Sequence, residues 1–193
     1  SSLTTSPGVA QITPPVGSSP IGLPLGLEPQ DVKMLFAVYR TLVLLSKSGD
    51  VYVLGYLTGA LDGNGAAQGT TGMNTWQRVK LNATTYLSGV KNVRGQSAGA
   101  NYNAFVAETN DGKMYTWGAS TFLGDGTGPA YRSYATEMTL PDDVKTKGIK
   151  MIGVTGGITG GSSFNTYYVL SNSGNLYAMG DNKNYQCGDF SRD

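Results

Sequence analysis

The 193-residue chain contains no histidine and only one cysteine, Cys187. Without histidine there can be no Ser-His-Asp triad, no Cys-His dyad and no His-ligated zinc. One cysteine can form neither an internal disulfide bond nor a multi-cysteine metal site. We therefore expect a protein that is not an enzyme and that binds no metal ion and no cofactor.

Charge is also scarce. Charged residues make up 14% of the chain, and 14 basic against 13 acidic residues leave a net charge of +1. A usual share is about 25%. So few and so evenly balanced charges argue against the clustered basic face that nucleic-acid-binding proteins and polybasic membrane anchors need. Its best apolar run, residues 42–45, is far shorter than the roughly 18 residues of a membrane span. We expect neither a nucleic-acid partner nor a membrane-spanning segment.

Residues 1–30 differ from the remainder of the chain. They hold six of the eight prolines, and the first charged residue is Glu28. Because proline fixes φ and removes a backbone donor, this segment is predicted to be extended and non-helical. One interpretation is a flexible linker. The other is an extended arm lying along another surface, favoured by the apolar residues Val9, Ile12, Val16, Ile21, Leu23 and Leu25.

A glycine turn between two short strands recurs three times in the remainder. The turn glycines are Gly49, Gly112 and Gly174, spaced by 63 and 62 residues. Strand, glycine turn and alternating strand is the signature of a β-hairpin. The strands before the turns are residues 41–45, 104–107 and 167–170, and those after them are 51–55, 114–118 and 176–180.

Two further elements bring each repeat of about 60 residues to four short strands. One lies upstream of each hairpin, at residues 31–35, 89–93 and 148–152. The other is weaker, at residues 78–81 and 137–141, with a counterpart at 22–25. No window shows a sustained helical period, so we predict an all-β chain with essentially no helix. Four-stranded repeats with glycine turns are typical of β-propeller blades, which must stack on neighbours.

These motifs resemble the repeat of the regulator of chromosome condensation (RCC1) family. Residues 111–118, D-G-K-M-Y-T-W-G, match the family's D-G-x-[VL]-[YF]-x-W-G, and residues 180–188 match its G-x-N-x-x-G-Q-L-G. In the second match Tyr185 replaces a glycine and Cys187 a leucine. The family's histidine is absent, and Tyr102 stands in its place. The resemblance covers roughly residues 31–193 and implies a β-propeller. The residues that would carry the family's exchange activity on a small GTPase or its chromatin attachment are not matched.

The resemblance divides the chain into a Pro-rich arm or linker (1–30) and three repeats. The repeats are approximately residues 31–88, 89–147 and 148–193. Propellers close with four to eight blades, so three repeats predict an incomplete ring or part of a larger one. Either the chain is a fragment of a longer ring, or copies join head to tail, with arm residues 20–26 completing a neighbour's blade.

Several short motifs have a structural interpretation beside a functional one. Gly95-Gln96-Ser97-Ala98-Gly99 matches a hydrolase nucleophile elbow but lacks a helix and a histidine, so a turn is predicted. The Gly-Asp stretches at 62–65 and 124–128 are interpreted as outer turns rather than calcium sites. The glycines of residues 153–161 predict a mobile or bulged loop. Asp142 and Asp143 are expected in a solvated turn, Trp117 in the core, Trp76 at the head of a strand, and Cys187 as a small buried residue.

Candidate binding residues come from the aromatic content. Tyr52, Tyr115 and Tyr177 recur at one repeat position and are interpreted as packing. Other aromatic residues fall in a predicted long loop of the second blade or just after the Trp/Gly strands. Loops carry function on rigid scaffolds, and Tyr and Arg are good interface anchors. The candidates are Tyr131, Arg132, Tyr134, Tyr56, Phe122 and Tyr185.

The sequence thus predicts a non-catalytic binding or scaffold module that presents loops from a β-propeller. Its partner would be a protein, a glycan or further blades of a parent or neighbouring chain, in a homo- or hetero-oligomer. Low charge and abundant glycine, threonine and tyrosine favour a secreted, cell-surface or virion setting. The alternative, by family analogy alone, is an intracellular regulator of a small GTPase or a chromatin adaptor.

Overall fold

The computed structural model describes residues 22–39, 41–58, 63–65, 70–97, 102–159, 162–183 and 185–188. Most of the predicted arm, residues 1–21, lies outside the described residues. The described part is almost entirely β-structure arranged as three antiparallel sheets in chain order. We call these sheets blade 1, blade 2 and blade 3.

Blades 1 and 2 each have four strands in sequential order. Blade 1 consists of β1 (Val32–Val38), β2 (Thr41–Ser46), β3 (Val51–Thr58) and β4 (Thr70–Arg78). Blade 2 consists of β5 (Val90–Ser97), β6 (Asn103–Thr109), β7 (Met114–Thr121) and β8 (Ala130–Glu137). The first three strands of each blade lie where the repeat predicted them, and so does the glycine turn between the second and third.

Blade 3 has three strands among the described residues. These are β9 (Ile149–Thr159), β10 (Ser162–Ser171) and β11 (Leu176–Gly180), with β10 in the middle. The hairpin β10–β11 repeats the geometry of the other two, since Val169 pairs with Tyr177 as Ala107 pairs with Tyr115. The predicted fold class, four-stranded propeller repeats in an incomplete ring, is therefore confirmed.

The predicted position of the fourth strand was wrong in the first two repeats, and so was its predicted counterpart before them. The strands run over Thr70–Arg78 and Ala130–Glu137, so they end where the sequence predicted them to begin. Residues 22–25 form a bend and turn instead of a strand, closed by a bond from Leu27 N to Pro24 O of 3.0 Å. The outermost strand is only half buried and carries little apolar signal. The apolar residues that led to the prediction, Val79 and Met138, are buried just past the strand ends.

Two further predictions were wrong in the third repeat. Most of the glycine-rich stretch predicted as a loop is strand β9, which pairs with β10 up to Thr159. Glycine fits there because space is tight: a Cβ on Gly157 would lie 2.9 Å from the Phe164 ring. Asp142 and Asp143, predicted in a turn, begin a short helix, α1 (Asp142–Lys147). The acidic first turn and the lysines of the last turn both complement the helix dipole.

Three predictions about single residues had mixed outcomes. Trp117 is fully buried, as predicted. Trp76, predicted to head a strand, lies near the end of β4. Cys187, predicted as buried, is only partly so, and its backbone N–H donates to Asn182 Oδ1 at 2.8 Å.

The hydrophobic core lies between the blades rather than inside any one of them. The seam between blades 1 and 2 buries Val43, Val53, Phe105 and Trp117, with the last two rings stacked at 5.4 Å. The seam between blades 2 and 3 buries a second apolar set: Val106, Met114, Met138, Val144, Ile149, Ile152, Tyr167, Val169 and Met179. Each sheet is apolar on the face that meets a neighbour, as stacked propeller blades require.

The glycine that recurs four residues after the start of each third strand has a physical reason in this packing. Gly118 and Gly180 have φ of 107° and 126°, values that L side chains rarely adopt. A Cβ on either would overlap a carbonyl oxygen of the neighbouring strand, that of Asn103 or Asn165. Only glycine permits this approach, which explains why the W-G or M-G ending recurs.

Candidate binding surfaces

The predicted binding residues all lie toward one end of the blades. We call it the loop end, defined by residues 122–130 after β7 and residues 181–188 after β11. The opposite, turn end is defined by the turns at Gly49, Gly112 and Gly174. Antiparallel order brings the end of the third strand and the start of the fourth to the same side, so residues predicted in separate repeats share the loop end.

Three candidates lie in a strand rather than in the predicted long loop, because Tyr131, Arg132 and Tyr134 belong to β8. The guanidinium of Arg132 is held against the end of β7, where Nη1 donates to Thr121 O at 2.5 Å and to Thr121 Oγ1 at 2.8 Å. Burial lowers the pKa of Arg132, while nearby Tyr167 and Asp125 act in the opposite direction. The arginine therefore ties β8 to β7 before any ligand is considered.

Tyr134 packs against the neighbouring blade. Its ring lies so close to Gly65 of blade 1 that a Cβ at that glycine would overlap the phenol. The backbones of Asn64 and Tyr134 form an isolated antiparallel β-bridge, and Gly65 N donates a hydrogen bond to Ser133 O at 2.9 Å. Residues 63–65, which follow β3, thus lie against the fourth strand of blade 2, and Tyr134 takes part in that seam.

The other three candidates differ in exposure. Phe122 is partly buried against the seam between blades 2 and 3. Tyr185 is 40% exposed, with a φ of 61° in the turn after β11. Tyr56 lies in β3 opposite Gly72, and its side chain is outside the described atoms. A role of the six candidates in binding stays a prediction.

The most exposed feature of the loop end is a run of seven residues. Residues 124–130 are all exposed, whereas residues 63–65, at the corresponding place in blade 1, are buried or half-buried. The run is ordered locally, since Asp125 Oδ1 accepts bonds from Thr127 N (2.9 Å) and Thr127 Oγ1 (2.6 Å). These bonds lower the pKa of Asp125, so the run presents a stable carboxylate to solvent.

A polar cluster between blades 2 and 3 was not anticipated from sequence. Asn165, 1% exposed, donates through Nδ2 to Ala119 O at 2.8 Å and Ser120 O at 2.9 Å. Its Oδ1 accepts a bond from Gln96, which extends the cluster to a third strand. The corresponding residue one repeat earlier, Asn103, is fully buried, and its side chain has no hydrogen-bond partner among the described residues. The two seams therefore differ in polarity.

The turn end holds a cleft of about 550 Å³ beside the hairpin of blade 2. It is lined by Asp111, Lys113, Glu137, Leu140 and Lys145, with Lys113 Nζ 3.3 Å from Glu137 Oε2. At the corresponding place in blade 1, the Arg78 guanidinium lies over the Tyr86 ring at 4.4 Å. The cleft is lined by exposed side chains of both charge signs. We therefore expect it to be filled by solvent rather than by a specific ligand.

A hydrogen-bond cluster at the turn end joins α1 to blade 3. Asp143 Oδ2 accepts bonds from Ser173 Oγ (2.7 Å), Tyr177 Oη (3.1 Å) and Asn175 Nδ2 (3.3 Å). These bonds, led by that of Ser173, lower the pKa of Asp143. The carboxylate fixes the helix on the hairpin, so its role is structural.

The two flanks of the three-blade stack expose apolar side chains. Leu176 is 68% exposed, although Val51 and Met114 at the same repeat position are fully buried. On the opposite flank Leu35 is 58% exposed, while Val93, 58 residues later, is fully buried. Exposed apolar groups on a flat sheet face are typical of an interface.

Other motifs contribute little chemistry. The turn predicted for residues 95–99 was wrong for its first three residues, because Gly95, Gln96 and Ser97 end strand β5, and the next described element is strand β6. Within the same ranges no three or more acidic or cysteine side chains gather at one point as metal ligands would. None of the described helices has the length and hydropathy needed to cross a membrane.

Comparison with known proteins supports the fold alone. No family model and no curated protein matches the chain. Among solved structures, human WBSCR16 superposes with a TM-score of 0.54 at 17% identity, covering 78% of this chain and 33% of its own. Yeast RCC1 (Prp20), solved with bound Kap60, superposes with a TM-score of 0.53 at 20% identity. The match covers 80% of this chain and 31% of the yeast protein. Prp20p from Saccharomyces cerevisiae, whose binding to Gsp1p and histones was also studied, superposes with a TM-score of 0.51 at 19% identity. The match covers 82% of this chain and 32% of Prp20p.

The chain therefore has an RCC1-like β-propeller fold, as its repeat motifs predicted. It spans about a third of the length of these structures.

Proposed function

We propose that this chain is a non-catalytic binding module whose contact surface is the loop end of blades 2 and 3. The observation that carries the proposal is the exposed run of residues 124–130, held on a rigid hairpin whose equivalent in blade 1 is covered. Exposed loops on a packed scaffold are the usual location of recognition sites. Phe122 lies beside the run, and Arg132 holds the strands on both sides of it in place.

The chemistry of this surface fits recognition better than catalysis. Asp125, Thr127 and Tyr185 offer a carboxylate, a hydroxyl and an aromatic ring. General acid–base work at neutral pH needs a group that titrates there, and histidine, the usual one, is missing from the sequence. Carboxylate, hydroxyl and aromatic groups together are suited to a protein or a glycan partner. The low charge of the chain favours a secreted, cell-surface or virion setting.

The alternative is an intracellular adaptor of a small GTPase or of chromatin. It is favoured by one observation, namely that Prp20p, a structural neighbour, was studied for its binding to Gsp1p and histones. The neighbour shares only 19% of residues, and the scarce charge of this chain offers no basic or acidic face to match such partners.

Binding assays separate the two proposals. The full chain, immobilised, is exposed to a glycan array, to a panel of extracellular matrix proteins, to purified Gsp1p and to histone octamers. We expect a ligand from the first two sets, with binding reduced by D125A and Y185A. K113A at the turn end is the matched control and should leave binding unchanged. Saturable binding of Gsp1p or histones, with none in the first two sets, would establish the alternative.

A further inference from the structure

A crevice opens between the first strands of blades 1 and 2. We call it the first-strand crevice, and its walls are formed by Met34, Phe36 and Val38 of β1 and by Val93, Arg94 and Gly95 of β5. At one end the two strands are in direct contact, because a Cβ on Gly95 would lie 2.7 Å from Val38 Cγ2. The volume of the crevice is about 300 Å³, near the lower end of the range for small-molecule sites. A space of this size suits a small ligand.

The β1 wall of the crevice is apolar, unlike the matching strand of blade 2. Strand pairing places Arg94 where Phe36 stands one blade earlier, and Asn92 where Met34 stands. Met34 and Phe36 pack against the buried core of the seam between blades 1 and 2, yet both remain partly exposed. The apolar wall is therefore fixed by the core behind it and still accessible to a ligand.

Arg94 brings a positive charge to the rim of the crevice. Its Nη1 donates to Asn92 Oδ1 at 2.5 Å and to Val93 O at 3.1 Å, and it lies 4.0 Å from Met34 Sδ across the seam. These contacts hold the guanidinium beside the apolar wall. Among the described residues all of its hydrogen bonds use Nη1, so the N–H groups of Nη2 and Nε remain available to a ligand.

In the described part of the chain no carboxylate is paired with this guanidinium. None of the ion pairs found there includes Arg94, and none of the described side chains that line the crevice is acidic. The cleft at the turn end differs, because Lys113 is already paired with Glu137 there. The first-strand crevice thus combines one unneutralised guanidinium with apolar walls.

These two features define a ligand by charge and by shape. An arginine fork binds a carboxylate through two parallel N–H···O bonds. Apolar walls favour an aromatic or branched hydrocarbon body, because the complex is stabilised when apolar surface leaves water. An uncharged apolar compound would forgo the ionic bond to arginine, and a small polar anion would gain nothing from the walls.

We propose that the first-strand crevice binds a small organic acid with an apolar body. The body lies between the side chains of Phe36 and Val93, and the carboxylate pairs with Nη2 and Nε of Arg94. This site is distinct from the contact surface proposed above, since it is built by two first strands, whereas the exposed run 124–130 follows a third strand. It gives the chain a small-molecule ligand in addition to a protein or glycan partner.

Titration calorimetry on the full, unaltered chain tests the chemistry of the ligand. The probes are phenylpropionate, its uncharged amide and acetate. We expect saturable binding of phenylpropionate, with the amide weaker by about tenfold or more, because a hydrogen bond to a charged partner is worth about that factor. Acetate should not saturate. In NMR spectra, nuclear Overhauser contacts should join the probe's ring to the methyl groups of Met34, Val38 and Val93.

Two variants test the role of Arg94. R94Q removes the guanidinium and should weaken phenylpropionate binding by about tenfold or more. K47Q is the matched control, because it removes one positive charge from an exposed residue outside the crevice and should leave the affinity unchanged. D125A, which tests the loop end, should also leave it unchanged. Far-UV circular dichroism checks that each variant is folded.

The outcomes support or overturn the proposal without depending on any one variant. Equal affinity for phenylpropionate and its amide in the unaltered chain would overturn the ionic contact and leave an uncharged apolar compound as the occupant. Equal losses in R94Q and K47Q would show attraction by net charge alone and would also overturn it. So would ring contacts to other methyl groups, or no saturable binding of phenylpropionate at millimolar concentration.

Discussion

The seam between blades 2 and 3 and the outer flank of blade 3 use the same repeat position in opposite ways. Met114 is fully buried in the seam, and Leu176, its equivalent one repeat later, is 68% exposed on the flank. Both follow the glycine turn and begin the third strand. The difference shows that burial in this fold is a property of having a neighbouring blade, and that a single blade has no core of its own.

The largest expected effect comes from truncating these two residues. M114A should lower the free energy of unfolding by about 2–5 kcal/mol, because it leaves a cavity in a packed seam. L176A should change it by less than about 0.5 kcal/mol when single chains are compared. Urea unfolding of both variants, at a protein concentration where light scattering gives a single-chain mass, measures both losses. Equal losses would break the comparison and show that the flank of blade 3 is covered within one chain.

Glycine substitutions ask whether blade 3 is as well formed as blade 2. G118A and G180A should each cost about 2 kcal/mol or more, since both place a Cβ against a carbonyl at positive φ. G112A is the control, because nothing lies near its Cβ, and should cost about 1 kcal/mol. Thermal unfolding gives the values. A much smaller loss for G180A than for G118A would mean that β11 relaxes more readily than β7.

The two buried asparagines sharpen the contrast between seams. N165A should cost about 2 kcal/mol, because it leaves the carbonyls of Ala119 and Ser120 without their donors. N103A should be nearly neutral, since the side chain it removes makes no hydrogen bond in the described residues. Chemical denaturation compares them. Equal costs would show that Asn103 has a partner as important as that of Asn165.

The smallest effect concerns acid stability at the turn end. The pKa of Asp143 lies below its usual value of 3.8, so its stabilising effect is complete above that value. The contribution is lost as pH falls through the lowered pKa of the folded state. D143N should therefore flatten the decline of the melting temperature below pH ~4. D142N, on the same helix, is the control. An unchanged acid slope in D143N would contradict the role of the cluster.

Short-range patterns predicted much of the fold. The hairpins around Gly49, Gly112 and Gly174 were readable because alternation and turn glycines act within a few residues. The upstream strands were found for the same reason. The RCC1-like resemblance depended on these local motifs, and the structural neighbours confirm it.

The candidate site was harder to read. Tyr131, Arg132 and Tyr134 were recognised as unusual, but their assignment to a loop was wrong because β8 has a polar, half-exposed sequence. The Asn165 cluster gave no signal, since the sequence predicted its strand to begin only at residue 167 and a lone asparagine indicates no particular partner. No pattern within residues 124–130 predicts their exposure, because the burial of residues 63–65 in blade 1 depends on contact with strand β8 of the neighbouring blade.

The sequence by itself determined the repeat, its hairpins and the recurring glycines of the third strands, since each depends on neighbours in the chain. The tertiary structure alone decided where the described fourth strands run, that residues 153–159 are a strand, and which apolar side chains of blades 1 and 3 are exposed. These depend on backbone pairing and on stacking between residues about 60 positions apart. A half-buried outer strand takes its place from the edge it completes, and its own side chains carry little of that information.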